Sequence, residues 1–227
     1  MYEGGRDEEI KRLHDPDIRA ELKSILSSKD SDYWKGIYIS AVTKDENRWM
    51  EGKNIYNILQ MTGKLPDDTV LDILIDEGLR VGAIFFSMKE ENLERFLSLP
   101  YTMLGSDSSA RSFSGITRKG KPHPRGFGTF PRFIGKYVRD KAVVSLTEAI
   151  KKITQLPART FGLKDRGLLK EGFYADIVIF DYERIIDKAV FDEPYTQAQG
   201  VEYVFVNGKP AFKEGKHTGN LSGMVVK

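Results

Sequence analysis

The 227-residue sequence contains no cysteine, which excludes a disulfide framework and any thiolate metal site. Histidine is nearly as scarce: His14, His123 and His217 are the only three, and no two form a His-x-His pair. No apolar run approaches the roughly 20 residues that a membrane-spanning helix needs. The start, Met1-Tyr2-Glu3-Gly4-Gly5-Arg6-Asp7, lacks the apolar core of a secretion signal, so a cytoplasmic location is expected. An excess of one charge is missing too: 35 Lys plus Arg against 33 Asp plus Glu leave only +2. No basic stripe with interleaved aromatics appears, so neither nucleic acid nor a membrane is an expected partner. Arg118, Lys119 and Lys121 form a short basic run that a solvated loop explains.

What remains is 40% hydrophobic and 30% charged, a balance that fits one or two globular units with a real core. Residues 1 to about 30 read as helical, with Asp15-Pro16 as cap and first position of a helix carrying Ile18, Leu22, Ile25 and Leu26 on one face. A short strand is expected at 36–40 and a loop at 43–53. Pro66-Asp67-Asp68 opens a further helix that Gly78 closes, and residues 81–86 follow as a buried strand. Ser87 with Glu90 reads as a capping box for a helix that Pro100 ends. The strand 101–104 comes next, so helix, strand, helix, strand predicts a parallel βα unit. Ser145 with Glu148 starts a helix carrying Leu146, Ala149, Ile150 and Ile153, which Pro157 stops. From Gly167 onward the pattern is all β, with strands at 175–180, 201–206, 210–212 and 224–226. Asn207-Gly208 marks a hairpin.

Two segments carry the chemistry. The first, Tyr101-Thr102-Met103-Leu104-Gly105-Ser106-Asp107, ends an apolar strand in a hydroxyl and a carboxylate, where barrel enzymes place reactive groups. An ordinary turn starts the same way. The second, Lys121-Pro122-His123-Pro124-Arg125-Gly126-Phe127-Gly128-Thr129-Phe130-Pro131-Arg132, belongs to a long loop with no clear period, the kind that is usually functional or disordered. Arg125 suits a substrate carboxylate because its guanidinium can bind both oxygens. Alternatively, Arg125 and Arg132 clamp the loop through backbone carbonyls. His14 and His217 read as surface residues.

Together these segments resemble the D-aminoacylase (N-acyl-D-amino-acid deacylase) family of the amidohydrolase superfamily. The resemblance continues through Thr154-Gln155-Leu156-Pro157-Ala158 and Gly172-Phe173-Tyr174-Ala175-Asp176-Ile177-Val178-Ile179-Phe180-Asp181 to Val204-Phe205-Val206-Asn207-Gly208. It implies an α/β fold: the C-terminal part of a metal-dependent (β/α)8 barrel with a lid insertion, followed by a small β-sandwich domain. The implied division is 1–63 lid, 64–166 partial barrel and 167–227 β domain. It also implies hydrolysis of N-acyl-D-amino acids with zinc as cofactor. Asp107 would be the catalytic proton carrier and a metal ligand, with Ser106, His123 and Arg125 near the substrate. The family's other zinc ligands, a His-x-His pair, a bridging cysteine and two further histidines, have no counterpart here. The chain therefore looks inactive without an N-terminal half, which becomes its expected partner unless it self-associates. Two alternatives stay open, a non-catalytic subunit or interaction module with this fold, and a cyclic amidase of the dihydroorotase or dihydropyrimidinase kind.

Overall fold

The computed structural model describes residues 4–226. Residues 1–3, part of the expected N-terminal helical stretch, lie outside the described residues, as does Lys227. The chain divides into two compact units.

The first unit holds the described residues up to Ser87 together with Ser114–His123 and Phe191–Pro194. Its elements are α1 (Gly5–His14), α2 (Pro16–Ser27), α3 (Ser31–Lys35), β1 (Ile37–Ala41), a 3-10 turn (Asp45–Met50), α4 (Ile55–Thr62), α5 (Pro66–Asp76) and β2 (Gly82–Phe85). Asp15 caps α2 as expected, accepting hydrogen bonds from the amides of Asp17 and Ile18, with Pro16 in the first turn. Arg19 and Lys23 on α2 pair with Asp68 on α5, and Arg19 also reaches Asp72. The core gathers Trp34, Ile37, Ile39, Met50, Ile55, Ile58, Leu59 and Ile73. Beside it lies a buried carboxylate. Glu77, just past α5, accepts from the amide and hydroxyl of Thr43, the amide of Lys44 and the side-chain amide of Asn47.

The strand expected at 81–86 is corrected in two respects. It spans Gly82–Phe85 and alternates half-buried with exposed residues. It also pairs antiparallel with β1, not in a parallel βα unit. The physical reason is that β1 is its only strand partner among the described residues, in a two-stranded sheet without the flanking strands of a parallel unit.

The second unit comprises Met88–Phe113, Pro124–Val190 and the residues from Tyr195 on. It contains α6 (Glu90–Ser98), α7 (Arg125–Arg132), a π-helical segment (Phe133–Asp140), α8 (Leu146–Ile153), α9 (Gln155–Thr160) and four strands. These are β3 (Ile177–Phe180), β4 (Val201–Val206), β5 (Lys209–Lys213) and β6 (Lys216–His217). Ser145 caps α8 by accepting from the Glu148 amide. Ser87 does not cap α6, whose N-cap is Lys89 with no side-chain bond. Pro157 does not stop the helical chain; it sits in the first turn of α9, where a missing N–H is harmless. The loop expected over 108–132 is helical from Arg125 and runs straight into the π segment. Pro131 inside α7 removes one backbone donor, which favours a change of hydrogen-bond register there.

Leu97, Phe133, Ile134, Tyr137, Val138, Ala149 and Ile185 form this unit's core, with Leu104, Phe180 and Val201 packed against it. Glu90 joins α6 to the π segment through Lys136 (2.5 Å) and the Tyr137 hydroxyl (3.0 Å). The hydrogen bond from Lys136 is the largest influence on Glu90, and its carboxyl lies below the ordinary value despite partial burial.

The four strands form one antiparallel sheet in the order β3-β4-β5-β6. Asn207 and Gly208 turn β4 into β5 with positive φ at both positions, as a two-residue hairpin of this kind requires. Arg166 pins the turn by donating to Asp176 and to Asn207 Oδ1 while stacking on Tyr174. The expected strand 224–226 is not formed, and the strands described from residue 167 on make one sheet. Leu221 and Val225 are fully or largely exposed, so no burial favours a further strand there.

Residues 101–107 form no strand either. A strand exists by exchanging hydrogen bonds with a neighbour, and among the described residues no strand flanks this segment. Tyr101 and Met103 are exposed, whereas Leu104 packs on the core of the second unit.

Candidate active site

Asp107 stands at the end of the irregular segment 99–107 with φ +45°, the left-handed region that non-glycine residues seldom enter. Its short polar side chain makes it one of the residues that tolerate this conformation. The effect is to turn the carboxylate outward: the side chain is 88% exposed. Arg125 Nη2 lies 2.9 Å from Asp107 Oδ2. Arg125 opens α7, where a cation is disfavoured by the helix dipole, and the Asp107 carboxylate offsets that cost. Gly126, next in the chain, lies against Ser108: a Cβ added there would stand 2.7 Å from Ser108 Oγ, so the hydroxyl would have to move. Ser106 is half-buried between Gly105 and Asp107.

His123 belongs to the first unit, while Ser106, Asp107 and Arg125 belong to the second. Within its own unit the imidazole meets Phe191 edge-on at 4.9 Å, and the row continues through Phe86 to Tyr38. His14 and His217 are exposed, as expected.

Arg132 does not clamp backbone carbonyls. It pairs with the carboxylate of Asp187 through Nε and Nη2, each at 2.8 Å. The carbonyl clamp is made by Arg139, whose Nη1 donates to Tyr182, Glu183 and Ile185 at 2.9–3.2 Å. Sequence reasoning also missed Lys152, a buried lysine in contact with the segment that leads to Asp107. Its signal was legible: Lys152 falls three residues after Ala149, beside the apolar stripe of α8.

No group of three or more His, Asp or Glu side chains that could hold a metal ion is found among the described residues. Asp107 brings one carboxylate, already engaged by a guanidinium. A stable zinc site takes three or four ligands, so these residues do not fit the ion by themselves.

Comparison with known proteins places this geometry in context. The amidohydrolase family matches residues 103–212, a span that includes Asp107, His123 and Arg125. A D-aminoacylase from Alcaligenes xylosoxydans xylosoxydans is 37% identical over 177 residues, covering 78% of this chain and 34% of the relative. Among solved structures, an N-acyl-D-glutamate deacylase from Bordetella bronchiseptica is similar, with a TM-score of 0.69 and 32% identity over 82% of this chain and 36% of its own. That protein was solved with zinc and a phosphonate that mimics the tetrahedral intermediate of its reaction. A D-aminoacylase with a binuclear metal centre, activated by one metal and attenuated by the second, gives 0.72 and 31% over 93% of this chain and 45% of its own. The chain spans about a third of the length of the curated relative it matches. The resemblance read from the motifs therefore holds over most of this sequence.

Proposed function

We propose that this chain, a homologue of the D-aminoacylases in sequence and in fold, is the proton-transferring part of an amidohydrolase acting on N-acyl-D-amino acids. The observation that carries the proposal is Asp107 itself. It is an outward carboxylate in a left-handed conformation, paired with a cation, inside the stretch that matches the amidohydrolase family.

Amide hydrolysis requires a proton to leave the attacking water and a proton to reach the departing nitrogen. Asp107 takes the first and returns it as the carbon–nitrogen bond breaks, leaving a carboxylate product and a free amine. Arg125 holds the side chain of Asp107 until substrate arrives, then turns to the substrate carboxylate, with Ser106 beside Asp107.

In the complete enzyme, residues 101–107 pair as the last strand of the (β/α)8 barrel, 1–63 act as the lid, and 167–227 belong to the β-sandwich domain. The zinc ligands other than Asp107 come from a partner polypeptide or from sequence this chain does not contain, and the chain alone is inactive. The support is the relative solved with zinc and the poor fit of this chain's own residues to the ion. A cytoplasmic location is part of the same reading. Similarity to deacylases of linear substrates favours a linear amide over the cyclic amides of dihydroorotase-like enzymes.

The test is to combine the chain with a polypeptide carrying the missing metal-binding region of a D-aminoacylase and to assay N-acetylated amino acids of both hands. Zinc-dependent release of D-amino acids, with L-isomers untouched, is the expected result. A stable complex that hydrolyses nothing would favour the non-catalytic module, and cleavage of dihydroorotate would favour the cyclic amidase.

A further inference from the structure

Lys152 on α8 is 1% exposed, yet faces no carboxylate within hydrogen-bonding distance among its described partners. Its ammonium donates to the carbonyl of Leu99, to the carbonyl of Thr102 at 3.2 Å and to the Thr102 hydroxyl at 3.0 Å. Thr102 in turn donates through its hydroxyl to the carbonyls of Phe96 and Leu99. Burial dominates the environment of Lys152 and lowers its pKa from the ordinary 10.5. Burying a charge against neutral acceptors is costly, and an apolar side chain of similar length would fill the space more cheaply. The charge therefore serves the acceptors. They belong to a segment without a strand ladder, whose far end is Asp107.

We propose that Lys152 is a positioning residue: by clasping the turn from Leu99 to Thr102 it fixes where the Gly105-Ser106-Asp107 segment stands. This deepens the reading of Asp107 as proton carrier and rests on it. Between the Lys152 clasp and Asp107 lie only four residues, of which Leu104 alone packs on the core. The clasp holds one end of the segment, and the Arg125 pair holds the other.

The absence of cysteine makes a direct test possible in the full chain. A single Ser109→Cys substitution, at an exposed site, accepts a nitroxide whose electron paramagnetic resonance spectrum reports the mobility of the segment. Lys152→Met keeps the length and removes the donors. Losing these hydrogen bonds should shift the ordered-to-mobile ratio of the label by about fivefold or more, while the circular dichroism of the fold persists. Thr102→Val, which removes one acceptor and leaves Lys152 in place, should give a smaller shift in the same direction. If Lys152 only fills space, Lys152→Met is as stable as the wild type or more so and the label spectrum is unchanged, which overturns the proposal. Should Lys152→Met fail to fold, the Thr102→Val spectrum decides alone, and no change there overturns it. In the assembled enzyme, Lys152→Met should lower kcat at unchanged KM. Absence of any hydrolysis by the wild-type assembly would count against the proposed function and leave the label result standing.

Discussion

Replacing Glu77 by Gln is the sharpest perturbation of the first unit. The carboxylate is 2% exposed and lies past the C-terminus of α5, where the helix dipole disfavours a negative charge. It is held there by donors. The Thr43 amide and hydroxyl each approach Oε2 at 2.5 Å, the Lys44 amide at 3.2 Å, and Asn47 Nδ2 approaches Oε1 at 2.6 Å. Glutamine keeps one acceptor and turns the other oxygen into a donor that faces donors. Buried hydrogen bonds to a charged acceptor contribute about 1.5–3 kcal/mol each. Removing the buried charge offsets part of the loss, so the net destabilisation should be about 2–4 kcal/mol. Burial alone would raise the pKa of Glu77, but the bonds from Thr43, Asn47 and the Lys44 amide outweigh it and hold the group below 4.5. A depressed folded-state value means stabilisation that is fully present above the unfolded value and is lost as pH falls through the folded one. The gap between wild type and Glu77→Gln should therefore be largest near neutrality and close below about pH 4.5. The chain's two tryptophans, Trp34 and Trp49, both lie in the first unit, so fluorescence during urea unfolding reads that unit specifically. Equal stability at neutral pH, or a gap that widens on acidification, would refute the reasoning.

Gly200 has φ +81°, and a Cβ there would lie 2.5 Å from the backbone nitrogen of Ile185. Gly200→Ala should destabilise the second unit by about 3 kcal/mol or more, read from the circular dichroism melt, and an unchanged melt would remove the assigned backbone contact. Dialysed chain should retain well under one zinc per molecule by elemental analysis, since one paired carboxylate does not make a site; a stoichiometric ion would overturn the ligand reading. β3 ends the sheet with Val178 and Ile179 about half exposed, and unpaired strand edges template pairing with another chain. Size-exclusion chromatography with light scattering should find self-association, or a requirement for a partner polypeptide. A clean monomer that unfolds cooperatively would count against a missing strand neighbour.

Local signals in the sequence were read correctly where the residues concerned decide the structure by themselves. Asp15-Pro16, Pro66 and the Ser145–Glu148 box each start the helix they announce. Asn207-Gly208 makes its hairpin. Errors arose where a distant partner decides. The segments at 81–86 and 101–104 have strand-like composition, but strands need neighbours: one segment found a single antiparallel partner and the other found none among the described residues. Glycines and two prolines masked the helix at 125–132, although Phe133, Ile134, Tyr137 and Val138 carry an apolar repeat just beyond it. For the candidate site, Asp107 and Arg125 were named from sequence and do meet. His123 packs within its own unit against Phe191, some 70 residues away, a contact that no local pattern announces.

The account turns on Asp107 as the group that moves the proton. The decisive measurement is steady-state hydrolysis of an N-acyl-D-amino acid by the assembled enzyme carrying Asp107→Asn. Asparagine keeps the shape but cannot accept a proton, and the side chain is too exposed for the change to disturb folding. The expected result is a fall in kcat of about 10²–10⁴-fold with KM and metal content close to wild type. A variant that turns over at nearly the wild-type rate would show that another group carries the proton and would contradict the central claim.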